Sequence, residues 1–411
     1  MINAKRFQDD FCAIAQFGVL DNGGVTRLAL TPPDYEARNY LIRSMQNAGL
    51  SVRIDSFGNI RGRRAAENQQ LPAVMIGSHL DTVPQGGHYD GVIGVLAGLE
   101  IIRHLNDENI STKHPVELIN FCCEESSRFG VATLGSKGLT GQLTCNMMQS
   151  IRDHQGISFY QALQQGGCAP DNHAQDILRP QDIKSFFELH IEQGPVLEHQ
   201  KIDLGIVTAI AAPTRFRVKI IGQNDHSGTT PMALRHDALV AAAELILAVR
   251  NIACDSSPDS VATVGEIHNR PNAMNVIPGE VQLSVDIRDI DLERKRIMTD
   301  NFKAQIAIIQ QTHQCQIESM LLCDDQPITL NTGLRDHLKD IARQHSWSYH
   351  CMPSGAGHDA MHLAKLAPTA LVFIPSRNGI SHNIAESSSL ENIVRGIELL
   401  SEAVKQVAQA V

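Results

Sequence analysis

Histidines and acidic residues come directly after several apolar runs of this sequence. His79 and Asp81 follow the run at residues 71–78, and the adjacent acids Glu124 and Glu125 follow the next such run. Side chains two residues apart leave a strand end toward the same side, which suits a metal-binding imidazole and a carboxylate that orients it. The spacing therefore predicts a site at the ends of strands.

Three more residues of these types extend the pattern. Asp90 stands at the start of a helical pattern at residues 91–106, His190 ends an apolar run, and His382 follows another. Taken singly, Asp90 has the alternative interpretation of a helix cap, and each histidine that of a buried structural residue. Because ligand sites in open α/β sheets form beyond the carboxyl ends of the strands, the joint pattern favours one shared site.

The residue types indicate the chemistry of this site. Imidazole and carboxylate groups suit zinc or manganese better than ions that prefer thiolates. A bridging carboxylate can hold two divalent ions about 3.5–4 Å apart, and such a pair lowers the pKa of water and polarises a carbonyl group. A free carboxylate beside them would take the proton of the water and pass it to a leaving nitrogen. We therefore expect two Mn²⁺ or Zn²⁺ ions per subunit and a hydrolytic reaction.

The elements that must position these residues follow an alternating order over most of the chain. Strand-like apolar runs lie at residues 71–78, 115–123, 185–191, 204–210 and 368–375, and helical patterns lie at residues 91–106, 333–344 and 391–411. Such alternation predicts an α/β catalytic domain around a parallel or mixed sheet. We assign residues 1–210 and 327–411 to its two parts.

The intervening residues 211–326 show a different order. Strand patterns at 214–221, 261–267, 281–287 and 316–322 are combined with helical patterns at 235–251 and 292–312. This β-α-β-β-α-β order is typical of ferredoxin-like α+β domains. An exposed edge strand could extend the sheet across a two-fold axis, so we expect an inserted lid and dimerisation domain and a homodimer.

Composition restricts the class of protein. The 411 residues are 43% hydrophobic and 19% charged, with a net charge of −10, which favours packed domains and argues against binding to nucleic acid or to an anionic membrane. Residues 1–17 lack the pattern of a secretory signal, and no run has the roughly 20 apolar residues of a membrane span. The nine cysteines are scattered without a CxxC pair, so we expect a cytoplasmic protein.

The sequence resembles the two-metal amidohydrolases of the aminoacylase and carboxypeptidase superfamily over nearly its whole length. Within that superfamily it is similar to the branch that holds allantoate amidohydrolases and N-carbamoyl-L-amino-acid hydrolases, and most similar to the allantoate enzymes. The motifs that carry the resemblance lie at residues 77–83, 89–98, 124–125, 188–198, 226–232, 275–278, 286–288, 354–359 and 380–383. The resemblance implies a two-metal exopeptidase-like α/β fold.

The resemblance also implies roles for the strand-end residues. His79 and His190 would hold one metal ion, Glu125 and His382 would hold the other, and Asp90 would bridge the two. Glu124 would act as the general base, and Asp81 would orient His79. His190 occupies a position that is often a carboxylate in peptidase relatives, so zinc and manganese both stay open.

Six further residues are implied to reach the substrate. His226 would stabilise the oxyanion, in its own or a partner subunit, and Asn275 and Arg288 would bind the substrate carboxylate. Arg288 and Arg215 have the alternative interpretation of solvated residues on a sheet face. The predicted substrate-contacting set is Arg215, Asn275, Arg288, Gln193 and Gly357, together with His226.

The function implied is metal-dependent hydrolysis of a ureido C–N bond in a small ureido acid. The expected reaction converts allantoate and water to ureidoglycine, ammonia and carbon dioxide, as in purine degradation through allantoin. The alternatives are hydrolysis of N-carbamoyl-L-amino acids or of ureidoglycolate by the same residues, and a catalytically silent metal-binding scaffold. The sequence lacks the dinucleotide fingerprint of a dehydrogenase and the GxSxG motif of a serine hydrolase.

Overall fold

A computed structural model describes residues 2–410 of the chain, which form fifteen strands and thirteen α-helices. The strands are β1 Ser51–Ile54, β2 Ile60–Arg64, β3 Ala73–His79, β4 Val116–Phe121, β5 Ile183–Ile191, β6 Leu204–Ile210, β7 Ala212–Ile221, β8 Asp225–His226, β9 Val261–Arg270, β10 Val276–Ile277, β11 Glu280–Asp289, β12 Gln316–Asp324, β13 Ile328–Thr329, β14 Tyr349–Ser354 and β15 Thr369–Ile374.

The helices are α1 Ala4–Ile14, α2 Pro32–Asn47, α3 Val92–Asp107, α4 Leu134–Leu139, α5 Cys145–Ser150, α6 Phe159–Gln165, α7 His173–Asp176, α8 Val196–Gln200, α9 Ala238–Cys254, α10 Leu292–His313, α11 Thr332–Gln344, α12 Ala360–Leu363 and α13 Leu390–Gln409. None of the helices described between residues 2 and 410 has the length and apolar character needed to cross a bilayer.

Two compact units divide the chain. The first comprises the residues up to Thr208, Leu330–Met352 and the residues from His358 onward, and the second comprises Ala209–Thr329 with Pro353–Gly357. Sequence analysis places an insertion at residues 211–326, within the longer segment of the second unit. The short segment Pro353–Gly357 of this unit overlaps the motif at residues 354–359.

The first unit contains a mixed sheet with the strand order β1-β2-β4-β3-β5-β15-β6. Its four central strands, β4, β3, β5 and β15, are parallel neighbours, whereas β2 and β6 run antiparallel to them. Parallel strands buried on both faces have few polar positions, and β3, β4 and β15 are buried at every residue. Because the four central strands are parallel, their carboxyl ends meet at one edge of the sheet.

Close packing between strands and helices holds this edge in place. Helix α3 is buried along most of its length, and it packs with α13 against the sheet in one large apolar cluster. Gly77 in β3 faces Ile119 in β4 so closely that a Cβ atom at residue 77 would overlap the Ile119 carbonyl oxygen. The glycine thus permits the spacing of the two strands that end in His79 and precede Glu124.

The second unit is a four-stranded antiparallel sheet with helices α9 and α10 packed on it. Its strand order is β12-β7-β11-β9, so the first strand of the predicted β-α-β-β-α-β series lies beside the third and the fourth. Alternate residues of β11 are buried, as expected for a sheet with one covered face. The buried residues of β7, β11, α9 and α10 form a core of their own.

The predicted α/β fold class is confirmed, and each predicted strand and helix has a counterpart within a few residues. The last predicted helix, residues 391–411, corresponds to α13, and its final residue lies outside the described residues. The predictions lack the helices α1 and α2, the antiparallel strands β1 and β2, the short helices α4–α7 between β4 and β5, and the short elements α8, β8, β10, β13, β14 and α12. Strand β1 has no buried residue, so it lacks the alternation that predicts a strand.

We expect the variant G77A to lose about 3 kcal/mol of unfolding free energy, because the new methyl group forces β3 away from β4. Chemical denaturation followed by tryptophan fluorescence and circular dichroism measures this loss. The matched control is G265A, also in a strand but with open space around the new methyl group. Equal stability of the two variants would contradict the expected strand spacing.

Candidate active site

The carboxylate of Asp90 lies at the centre of a cluster of histidines at the carboxyl edge of the first sheet. Its Oδ1 atom lies 3.4 Å from Nε2 of His79 and 3.2 Å from Nε2 of His190, and its Oδ2 atom lies 3.3 Å from Nε2 of His382. Asp90 precedes helix α3, but the N-cap position is taken by Gly91, which makes no side-chain cap. The helix-cap interpretation of Asp90 is therefore excluded.

His79 and His190 are fixed from behind by the backbone. His79 Nδ1 lies 2.9 Å from the carbonyl oxygen of Asp81, and His190 Nδ1 lies 2.9 Å from that of Ile191. A carbonyl oxygen only accepts, so in both rings Nδ1 carries a hydrogen, and Nε2 is the atom that faces Asp90 and is available to a metal ion when the ring is neutral. Both histidines are almost fully buried at the ends of β3 and β5.

His382 and Glu125 lie on the other side of Asp90. His382 Nε2 is 3.3 Å from Glu125 Oε1, the same distance as from Asp90 Oδ2. His382 follows β15 in a loop, is about half exposed, and has a left-handed backbone with φ of 54°. The two carboxylate oxygens of Asp90 thus face two different sets of neighbours.

These contacts fit two divalent metal ions. The possible ligand atoms of His79, Asp90 and His190 all lie within 4.8 Å of one another, as do those of Asp90, Glu125 and His382. Atoms that bind zinc tetrahedrally at about 2.1 Å lie about 3.4 Å apart, close to the separations found here. The donor sets, two imidazoles with one carboxylate and one imidazole with two carboxylates, suit zinc or manganese.

Glu124 lies beside both groups but belongs to neither. Its Oε2 atom is 3.7 Å from His79 Nε2, and its side chain is largely buried. Burial, together with the nearby charges of Glu125, Asp359 and Asp81, raises the pKa of Glu124 well above its usual value, although His79 opposes the shift. A carboxylate in such surroundings is suited to accept a proton.

The carboxylate of Asp81 has a different position from the one expected. It accepts hydrogen bonds from the backbone amides of Glu124, at 3.3 Å, and of Glu125, at 3.0 Å, whereas its carboxylate is 3.9 Å from His79 Nδ1. Burial raises the pKa of Asp81 to about 7. Asp81 therefore holds His79 through its backbone and the Glu124–Glu125 turn through its side chain.

The histidines and Asp90 shift one another's pKa in opposite directions. Burial acts against each charge, but the carboxylates outweigh it, so the pKa of His79 and that of His190 lie above the usual value. Hydrogen bonds to Asp90 and Glu125 raise the pKa of His382 to about 10. The pKa of Asp90 is raised by burial but lowered further by the three histidines, so it lies well below the usual value.

Other neighbours of the cluster were not all evident from the sequence. Gln193 donates from Nε2 to Asp90 Oδ2 at 2.7 Å, so this predicted substrate-binding residue contacts the cluster directly. His358 packs edge-on against His190 with 4.6 Å between ring centres. Glu188 and Glu386 are buried acids beside the cluster that the strand-end pattern does not reveal.

Arg215 and Arg288 lie on neighbouring strands of the second unit and share one carboxylate. Arg215 Nε lies 3.0 Å from Asp286 Oδ2, and Arg288 binds both oxygens of Asp286 at 3.0 and 2.9 Å. Arg288 also donates to the carbonyl oxygen of Gly355. The two guanidinium groups line one groove of about 480 Å³ within this unit, so they are more than independent solvated side chains.

His226 and Asn275 are brought together elsewhere in the second unit. His226 in β8 pairs with Val276 in β10, directly after Asn275. The backbone amides of Gly228 and Thr229 donate to His226 Nδ1 at 3.0 and 3.2 Å. The hydrogen of the neutral ring is therefore on Nε2, which can donate. Gly357 belongs to the short segment Pro353–Gly357 of this unit.

Groups of residues that could hold a metal ion thus lie at the edge of a mixed α/β sheet, an arrangement suited to a metal-dependent hydrolase. Residues 75–406 match the model of Peptidase family M20/M25/M40. The chain belongs to this family and is a hydrolase. It is 35% identical to a solved amidase of the hydantoinase/carbamoylase family from Burkholderia multivorans, with a TM-score of 0.94 over 100% of this chain and 98% of the other.

Curated relatives with three different names resemble the chain. It is 39% identical to an N-carbamoyl-L-amino-acid amidohydrolase of Pseudomonas sp., over 98% of both chains. It is 36% identical to the ureidoglycolate hydrolase of Arabidopsis thaliana, over 97% of this chain and 86% of the relative. It is 35% identical to the allantoate amidohydrolase of Escherichia coli, over 96% of both. The relatives therefore agree on the class of amidohydrolase but carry different substrates in their names.

We expect the variant G91A to weaken metal binding about 10–100-fold, a loss typical of disturbed ligand support. Gly91 has a φ of 68°, and a Cβ atom there would overlap the ring of His79. Titration of the metal-free protein with Zn²⁺ or Mn²⁺ in a calorimeter measures the affinity. The control G156A places alanine at a similar φ of 81° with nothing nearby, and its metal binding should be unchanged. Wild-type affinity in G91A would show that this contact does not position His79.

Proposed function

We propose that this hydrolase cleaves the ureido C–N bond of allantoate in a metal-dependent reaction. Water adds to the carbamoyl carbon of one ureido arm and one of its C–N bonds breaks, leaving a carbamate. The carbamate then loses its remaining C–N bond, so that ureidoglycine, ammonia and carbon dioxide are the products. The observation that carries the proposal is Asp90, whose two oxygens face separate ligand groups while Glu124 stays outside both.

The ligands divide between the two ions in this proposal. His79 and His190 would hold one ion and Glu125 and His382 the other, with Asp90, which belongs to both groups, as a shared ligand; Mn²⁺ and Zn²⁺ are both suited to these donors. When bound, the ions supply Lewis acidity for the carbonyl group and for water. The family match and the two ligand groups support this assignment.

The remaining roles fall to side chains that hold or move protons. Glu124 takes the proton of the attacking water and returns it to the leaving nitrogen, for which its buried position is suited. Asp81 fixes the turn that carries Glu124. His226 donates from Nε2 to the substrate oxygen as it gains negative charge, either in its own or in a partner subunit.

We propose that the substrate is bound by residues of the second unit and by Gln193. Arg288 and Asn275 bind the carboxylate of the ureido acid, and Gly357 also contacts the substrate. Arg215 supplies a second cation for the additional ureido arm of allantoate. Since Asp286 is shared by Arg215 and Arg288, the pair keeps a net positive charge that can attract an anion.

A homodimer through the second unit is part of the same proposal. Strand β9 forms one edge of its sheet, and several of its residues, including Val261 and Ile267, are exposed. An exposed edge strand with apolar side chains is suited to pair with the same strand of another copy. We propose this dimer, in the cytoplasm, as the working form of the enzyme.

The runner-up function is hydrolysis of N-carbamoyl-L-amino acids or of ureidoglycolate. It is favoured by the relatives that bear these names, whose identity to this chain is as high as that of the allantoate enzyme. The bond cleaved and the metal centre would be the same. The groups that contact the rest of the substrate decide between these functions.

We expect E124Q to bind two metal ions as the wild type does and to lose at least about 10³-fold in turnover, because an amide cannot take the proton. The matched variant E125Q should lose the second ion, since Glu125 belongs to the group around His382. Metal content by mass spectrometry and the rate of ammonia release measure the two effects. Turnover near the wild-type rate in E124Q would remove Glu124 from the role of base.

We expect ammonia release from allantoate to be abolished by a chelator and restored by Mn²⁺ or Zn²⁺. N-carbamoyl-L-amino acids and ureidoglycolate are assayed in parallel with the same enzyme, with apo protein as the control. Turnover confined to allantoate supports the proposed substrate. Turnover only on a carbamoyl amino acid or ureidoglycolate keeps the bond type and replaces the substrate, and no turnover with metal bound supports the silent scaffold.

A further inference from the structure

The buried carboxylate of Glu386 connects the two loops that carry Asp90 and His382. Its Oε1 atom accepts hydrogen bonds from the backbone amides of Tyr89 at 2.9 Å and of Asp90 at 3.1 Å. Its Oε2 atom accepts from the Ser381 hydroxyl at 3.1 Å and from the His382 amide at 3.3 Å. One side chain therefore holds loops that are nearly 300 residues apart in sequence.

His382 depends on such a contact more than the other two histidines do. His79 and His190 belong to central strands, and backbone carbonyl groups fix their rings. His382 lies in a loop, with 49% of its side chain exposed and a φ of 54°, a conformation that costs a non-glycine residue free energy. Its backbone amide is bound by Glu386, which stands four residues further along.

Glu386 packs directly against the backbone of Gly87. A Cβ atom at residue 87 would overlap both the carboxylate and the Cβ atom of Glu386. The absence of a side chain at Gly87 therefore lets the Glu386 carboxylate reach the amides of Tyr89 and Asp90. Glu386 itself is 3% exposed, so its hydrogen bonds are shielded from competing water.

We propose that Glu386 is a positioning residue that sets the distance between Asp90 and His382 and thereby the affinity of the second ligand group for its ion. The inference rests on the metal centre of the proposed function. The hydrogen bonds of Glu386 go to backbone amides of the two loops and to the Ser381 hydroxyl, which also lies 3.1 Å from Asp90 Oδ2.

The variant E386Q should keep the hydrogen bonds that Oε1 makes with the Asp90 loop and remove the one that Oε2 makes with the His382 amide. Oε1 accepts from two backbone amides, whereas Oε2 accepts from one amide and from a hydroxyl that can rotate. The amide nitrogen of glutamine therefore takes the Oε2 position, where it faces the N–H of His382 without being able to accept from it. The Asp90 loop stays bound, and the His382 loop is released.

Calorimetric titration of metal-free protein with Mn²⁺ tests the proposal. The wild type should bind two ions, and E386Q should bind one with unchanged affinity and the other about 10–100-fold more weakly. Co²⁺ absorption spectra provide a second readout, because loss of ordered ligands at one ion alters part of the visible spectrum. The variant G87A should weaken both ions, since it displaces the whole Glu386 side chain, including the oxygen that binds the amides of Tyr89 and Asp90.

The matched control is E100Q. Glu100 is also buried, accepts from the backbone amide of Asn3 and pairs with Arg6, so its loss weakens the fold away from the two loops. E100Q should lower the melting temperature and leave both metal affinities unchanged.

The outcomes separate this role from the metal centre itself. Selective weakening of one ion in E386Q, weakening of both ions in G87A and normal binding in E100Q support the positioning role. If E386Q binds two ions with wild-type affinity, or weakens both ions equally, the positioning role of Glu386 is overturned and the metal centre itself stays intact. A wild-type protein that binds no ion overturns the metal centre, and the role of Glu386 with it.

Discussion

The buried carboxylate of Asp90 is the feature on which the rest of the site depends. A carboxylate cannot be removed from water unless several partners compensate its charge, and here three imidazoles and Gln193 surround it. Because its two oxygens face different neighbours, this one side chain joins two ligand groups. The supporting residues, from the backbone oxygens behind His79 and His190 to the Glu386 contact, keep these groups on either side of Asp90.

The sheet provides this arrangement through strand direction. Central strands β4, β3, β5 and β15 are parallel, so the residues at or after their carboxyl ends meet although they are far apart in the chain. Helix α3 begins at the same edge, which places Asp90 among the strand ends. Glycines allow the close spacing: Gly77 between β3 and β4, and Gly91 against the His79 ring.

The second unit contributes groups of a different kind. Its arginines are held on a sheet by Asp286, and its His226 is oriented by the backbone amides of the turn that follows. In the first unit the candidate ligand atoms are oriented mainly by burial and by backbone carbonyl groups. In the second unit the arginines and His226 keep N–H donors that a bound small molecule can use. This difference is consistent with a division between reaction chemistry and substrate recognition.

The sequence by itself determined the α/β class and the order of the second unit, and it indicated that His79, Asp90, Glu125, His190 and His382 lie near strand ends, because hydrophobic periodicity and strand-end residue types are local signals. The choice of these five as ligands was implied by the family resemblance. Tertiary structure alone decided that the Asp81 carboxylate binds backbone amides, that Gln193 contacts Asp90, and that Glu386 joins two loops. Those contacts depend on which loops meet at the sheet edge. A glutamate before a helix carries no local pattern that tells which of two distant amides it will bind.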